Sequence, residues 1–154
     1  MPHTTTPEEC AENLDDYEPV DVKRVVPENW NLLTPEDWWS PANPPTEESK
    51  PHVGSHMMAI FTPRVRVTSV IVVGDAEGVK ESVHLAFDIQ FHTGDAFTKV
   101  ESADGSFLFS GYTGSKIRLP SDLSYLSVMR VFLLNPNSKR NYRLVFNGCE
   151  EIGE

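Results

Sequence analysis

Val83-His84-Leu85-Ala86-Phe87-Asp88-Ile89-Gln90-Phe91-His92 alternates large apolar side chains with small or polar ones. Period two is the mark of a β-strand, whose successive side chains point to opposite faces. The odd positions are expected to look into a core and the even ones mostly towards water. Arg64 to Thr68 follows the same rule, with Val65 and Val67 opposite Arg64, Arg66 and Thr68.

Turn chemistry punctuates the chain around these runs, at Gly74 to Gly78, Thr93-Gly94-Asp95, Asp104-Gly105 and Asn135-Pro136-Asn137. Asp104 and Gly105 both tolerate positive φ, so a hairpin is expected between Phe97–Glu101 and Phe107–Phe109. Further strands are expected at Ser115–Leu119, Leu126–Leu134 and Tyr142–Phe146. The fold class that follows is all-β: a small antiparallel β-sandwich, with a closed OB-like β-barrel as the alternative.

Two strands break the one-sided rule. Val70-Ile71-Val72-Val73 and Leu126 to Leu134 are apolar on both faces. A strand apolar on both sides must be covered on both sides. In a two-layer domain of this size one sheet face normally meets solvent, so another segment should supply the second cover.

The first third of the chain has a different character. Up to Val53 there are twelve acidic and three basic residues, a net of −9, and from Gly54 onward eleven acidic and ten basic, a net of −1. Nine of the twelve prolines and all three tryptophans precede Gly54, while all nine glycines lie at or after it. At that seam stands Gly54-Ser55-His56-Met57, a run that a cloning junction commonly leaves. The domain reading is therefore an acidic, largely extended interaction peptide over residues 1–53, a junction at 54–57, and an all-β domain over 58–154. A short tether would hold such a pair together by raising the effective concentration to roughly millimolar.

Within the acidic segment, Val20 to Val26 can extend as a strand that stops at Pro27, adding to an open sheet edge. Thr34-Pro35-Glu36-Asp37-Trp38-Trp39 carries a helix-start signal, with Thr34 as N-cap and Pro35 at the first helical position. Pro41, Pro44 and Pro45 end that helix within one or two turns. Trp30, Leu33, Trp38 and Trp39 are costly to leave in water. They are the expected peptide anchors, with Val22 and Val25 pairing as strand. On the β-domain the expected receptor residues are Val70, Val72, Val128 and Arg130. Arg64, Arg66, Lys139, Arg140 and Arg143, with Lys116 and Arg118, would meet the ligand's acids and orient more than stabilise it.

Chemistry finds little purchase. His84, Asp88 and His92 share one strand face, but four strand residues span roughly 13 Å, too far for one metal ion; they are expected to be solvated. His3, His52 and His56 lie in tails or linker and carry no inference. The loop acids Asp75, Glu77, Asp95, Asp104 and Asp122 have no ligand spacing, and acids are common in turns for conformational reasons. No phosphate-cradling, nucleophile-elbow or zinc pattern occurs. No enzyme, cofactor or metal is expected.

Cys10 and Cys149 fall in the two terminal tails, are expected as free thiols with a bridge between the tails as the alternative, and suggest a reducing, intracellular setting, cytoplasmic or nuclear. No run approaches the roughly 20 apolar residues of a membrane span. The expected function is a non-catalytic protein-interaction module, a β-domain adaptor holding the linear acidic peptide of a protein partner. The alternative is a single-stranded nucleic-acid surface that stacks bases on Phe97, Phe107, Phe109 and Tyr112. The near-neutral charge of the β-domain argues against it.

Overall fold

A computed structural model of the chain describes residues 24–27, 38–41 and 43–151. Among these residues there is no helix. Eight strands form one antiparallel sheet: β1 (Arg24–Pro27), β2 (Met57–Gly74), β3 (Ser82–Gln90), β4 (Thr98–Lys99), β5 (Phe109–Tyr112), β6 (Lys116–Arg118), β7 (Leu126–Leu134) and β8 (Tyr142–Glu150).

The spine is β2, which fuses the two strands expected at 64–68 and 70–73. Its 18 residues would reach about 60 Å if straight, roughly twice the width of a small domain. The strand must therefore bend. Its register shifts between Ile60 and Val65 against β7, and between Val67 and Ser69 against β8. Such bulges bend a strand and increase its twist. One edge of β2 carries β1 and then β8, and the other carries β7 and then β6. Beyond β7 lies β3, whose far edge pairs with β5 and β4. The sheet thus curls into a half-barrel rather than stacking as separate layers.

The inside of the curl is the main core. Leu85, Phe87 and Ile89, the odd positions of β3, are buried there with Val65, Val67, Val70, Val72, Met129 and Phe146. The even positions of β3 differ from expectation: Ala86 and Asp88 are buried too. Ala86 joins Phe132 and Leu134 in a second apolar cluster, so β7 is covered on both faces as its sequence demands. On β2, Arg66 and Thr68 are also buried rather than solvated, Thr68 donating its hydroxyl to Asn147 O at the bulge.

Asp104-Gly105 does form a tight turn, with Gly105 at φ 84° and Ser102 N donating to Ser106 O at 2.7 Å. Hydrogen bonds from the Ser102 hydroxyl, then from the Ser106 amide and hydroxyl, hold the Asp104 carboxyl down to about 2. The flanking strands do not pair with each other, however. Both lie end to end along β3, and the turn is an excursion from that edge.

Cys149 is no tail thiol: it lies in β8, buried and disulfide-bonded. Cys10 lies outside the described residues. A disulfide-bonded Cys149 gives no sign of a reducing compartment. No helix among the described residues is long and apolar enough to cross a membrane.

Candidate functional site

Residues 38–56 contain Pro41, Pro44, Pro45 and Pro51, each lacking a backbone donor. Such a segment cannot continue a ladder, and it runs over the sheet as a strap with few, well-defined attachments. At its start Trp39 makes an isolated antiparallel bridge to Tyr142, with both N–H···O distances 2.7 Å. The helix expected over 34–39 has Thr34 to Asp37 outside the described residues, and its last residue is this bridge. Trp39 is 1% exposed and belongs to the main core. Its neighbour Trp38 is 42% exposed and rests on Arg143, whose guanidinium carbon is 4.9 Å from the ring centre. The bridge partner is itself fixed: the Tyr142 hydroxyl accepts from Asn137 N at 3.0 Å, and burial pushes the phenol pKa up.

Further on, the strap closes on itself. Ser55 N donates to Asn43 O (2.7 Å) and Asn43 N donates to the Ser55 hydroxyl (2.8 Å). Gly54 sits at φ 142°, and a Cβ there would stand 2.7 Å from Asn43 O and 2.8 Å from Pro45 N. Asn135, at the end of β7, ties the loop down by donating its amide to Pro45 O (3.0 Å) and its Nδ2 to Thr46 O (3.2 Å). The Gly54-Ser55-His56-Met57 run is therefore packed into the fold, and Met57 begins β2.

The strap also supplies the outer cover of β7. His52 packs edge-on to Phe107 (5.7 Å between ring centres) and Phe132 (5.4 Å), and His56 tilts on Phe132 at 5.1 Å. His52 Nε2 donates to Phe87 O at 3.1 Å. Burial lowers the His52 pKa; the bond to Phe87 and the Asp88 charge raise it, and Lys99 and Arg130 lower it.

Beside His52 lies a charge pair that the sequence reading did not anticipate. Arg130 stands opposite Asp88 in the β3–β7 register and donates from Nε and Nη2 to its two carboxylate oxygens, each at 2.7 Å. The guanidinium also stacks on Phe97 at 3.5 Å from the ring centre. Arg130 is thus committed to Asp88. Asp88, only 4% exposed, is not the solvated residue expected on that face. Removing one partner strands a largely desolvated charge. Asp88→Ala is expected to lower stability by about 2 kcal/mol, below the range for fully buried pairs because Arg130 is partly exposed. Urea unfolding checks this, and the double variant Asp88→Leu/Arg130→Met should recover most of the loss.

The other residues named from sequence are scattered. Val70 and Val72 are fully buried inside the curl and Val128 is buried on β7. Arg64 pairs with Glu151, its Nε 3.0 Å from the carboxylate. Arg140 Nε approaches Glu81 at 3.3 Å, and Lys139 is exposed. Val25 lies in β1 opposite Ala59. Trp30, Leu33 and Val22 lie outside the described residues. Of the four aromatics considered for base stacking, Phe109 is buried and Phe97 lies under Arg130. Phe107 meets His52 and Lys99, and Tyr112 is exposed. His84 Nδ1 meets the Ser110 hydroxyl at 2.7 Å, and His92 is exposed.

A cleft of about 970 Å³ is lined by the apolar Ile89, Phe91, Val100, Phe109 and Leu123 and by the exposed Lys99, Glu101, Arg118 and Asp122. Of the peptide-binding residues named from sequence on the β-domain, Arg118 lines it, and Val70, Val72, Val128 and Arg130 do not. No cluster of His, Cys, Asp or Glu among the described residues is arranged to hold a metal ion.

The residues that sequence reasoning missed are those of the strap's second half, Pro45, His52, Ser55 and His56. The usable signal was the prolines at 41, 44, 45 and 51, which mark an extended, donor-poor segment suited to lying across a sheet. No known family model matches this chain, and no curated protein does either.

Proposed function

We propose that this chain is a non-catalytic protein-interaction module, in which a curled β-domain holds a linear, acidic, tryptophan-bearing segment. The segment ends in the strap, and residues 54–57 join it to the domain. The observation that carries the reading is Trp39. A single aromatic from an otherwise proline-broken stretch fills the main core, and its backbone is clipped to the start of β8. Linear ligands hold to sheets in this way, main-chain bonds giving affinity and one side-chain pocket giving specificity. Trp38 on Arg143 adds a rim contact worth about 0.5–1 kcal/mol. On this reading the acids upstream orient the segment against the domain's arginines, and the β-domain acts as a scaffold for protein partners.

The exposed turn at Glu47 to Lys50 offers the test. A protease site inserted there separates the anchor from the domain without touching either. With the Cys149 disulfide reduced, so that no covalent link joins the pieces, the nicked chain is expected to run as one species in gel filtration, and the upstream fragment added in trans should rebind saturably. Trp39→Ala should let the fragments part. Separation with Trp39 intact would remove the proposal.

A further inference from the structure

We propose that residues 43–56 are an acid-released lid: protonation of His52 frees them from the outer face of β3 and β7. The inference goes beyond the interaction reading, and stands whether or not the upstream segment is a ligand.

The geometry defines one protonation state. Phe87 O can only accept, so His52 Nε2 carries the hydrogen. Nδ1 is then the basic nitrogen, and it is buried with no hydrogen-bond partner among the described residues. A proton added there creates a buried N–H with no acceptor. The groups facing the ring do not relieve it. Among the described residues, Asp88 on β3 is the one carboxylate that acts on the ring, and both its oxygens bond to Arg130. Lys99 on β4 and Arg130 on β7 are cations and oppose a third charge.

The rings offer little compensation, because each already has a cation near it. Lys99 lies 5.7 Å from the Phe107 centre and Arg130 lies 5.9 Å from that of Phe132. On the strap itself, the facing titratable group is His56, whose ring lies against Phe132. Lys50 and Glu47 pair with each other at 3.8 Å on the exposed turn. Once the imidazole leaves, Phe107 and Phe132 lose its edge-on contacts.

The sign follows from burial. A histidine whose folded pKa lies below its unfolded 6.5 stabilises the closed form fully above 6.5. That stability is lost as the pH falls from 6.5 through the folded value. One proton sets the slope, so opening becomes up to about tenfold more frequent per pH unit over that window.

The test is amide exchange in the intact chain, corrected for the intrinsic rate, from about pH 7.5 down to about pH 5. The reporter is the Asn135 amide, which donates to Pro45 O. Its protection should fall at the slope given above while core amides of β7 keep theirs. His52→Gln retains a donor for Phe87 O without titrating, and should flatten the dependence. An NMR titration of the wild-type imidazole should give His52 a pKa below 6.5, matching the exchange profile. Constant Asn135 protection, a fall that survives in His52→Gln, an equal fall in the β7 core, or a His52 titration out of step with exchange would each overturn the lid.

Discussion

Trp39→Ala should cost the fold about 3–5 kcal/mol, the range for deleting a large buried aromatic from a close-packed core. The side chain is 1% exposed and sits among the main-core residues, so its removal leaves a cavity that a curled sheet cannot easily close. The total stability of a domain this size is only about 5–15 kcal/mol. The urea midpoint should therefore drop sharply with little change in slope. Two comparisons isolate the cause. Trp38→Ala removes a half-exposed ring and should cost at most about 1 kcal/mol. Trp39→Phe keeps the aromatic while discarding an indole N–H that is buried with no partner among the described residues. It should cost clearly less than alanine, because an unmet buried donor carries a penalty of about 1–3 kcal/mol. If Trp39→Ala behaves like Trp38→Ala, the strap's start is not part of the core.

Gly148→Ala is expected to destabilise by about 3 kcal/mol, the upper end of the usual overpacking range. Gly148 lies in β8 opposite Val67, next to the register shift that bends β2. A Cβ there would land on the carbonyl oxygen of Arg66, with Arg66 C at 2.9 Å and Val67 Cα at 3.1 Å. All three obstacles are backbone, so no rotamer change relieves them; the β2–β8 ladder itself must part. Loss of amide protection around Val67 and Ser69, measured with the urea midpoint, separates this from a general effect of alanine. Gly74→Ala is the control, since its nearest contact would be the Thr113 methyl at an ordinary 3.7 Å, and it should change stability by less than about 0.5 kcal/mol.

Two of the strands were legible almost residue by residue, whereas Phe107–Phe109 is found instead as Phe109–Tyr112 and Tyr142–Phe146 runs on to Glu150. Leu126–Leu134 appears with the expected bounds and Val83–His92 is shortened only slightly, because alternation is a local property of neighbouring side chains. A strand expected at 20–26 is present over Arg24–Pro27, with its earlier residues outside the described part. The requirement that β7 be covered on both faces was also readable, since nine residues with almost no polar gap allow no wet side. Which residues meet that requirement was not. Trp39 goes into the inner core, and the outer cover comes from His52 and His56, residues that alone look like linker.

What the sequence determined by itself is an all-β chain with a greasy two-sided strand and an upstream segment unlike the rest, for these follow from side-chain order along a few residues. Only the tertiary structure decided that β2 is one bent strand, that Asp88 meets Arg130, and that the Asp104-Gly105 turn joins strands which do not pair. Each depends on register between segments far apart in the chain: Asp88 and Arg130 are 42 positions apart, and Asn43 meets Ser55 across a closed loop. Periodicity states which face must be hidden. Closure of the chain chooses what hides it, because the entropy of bringing distant segments together is repaid only by the whole set of contacts at once.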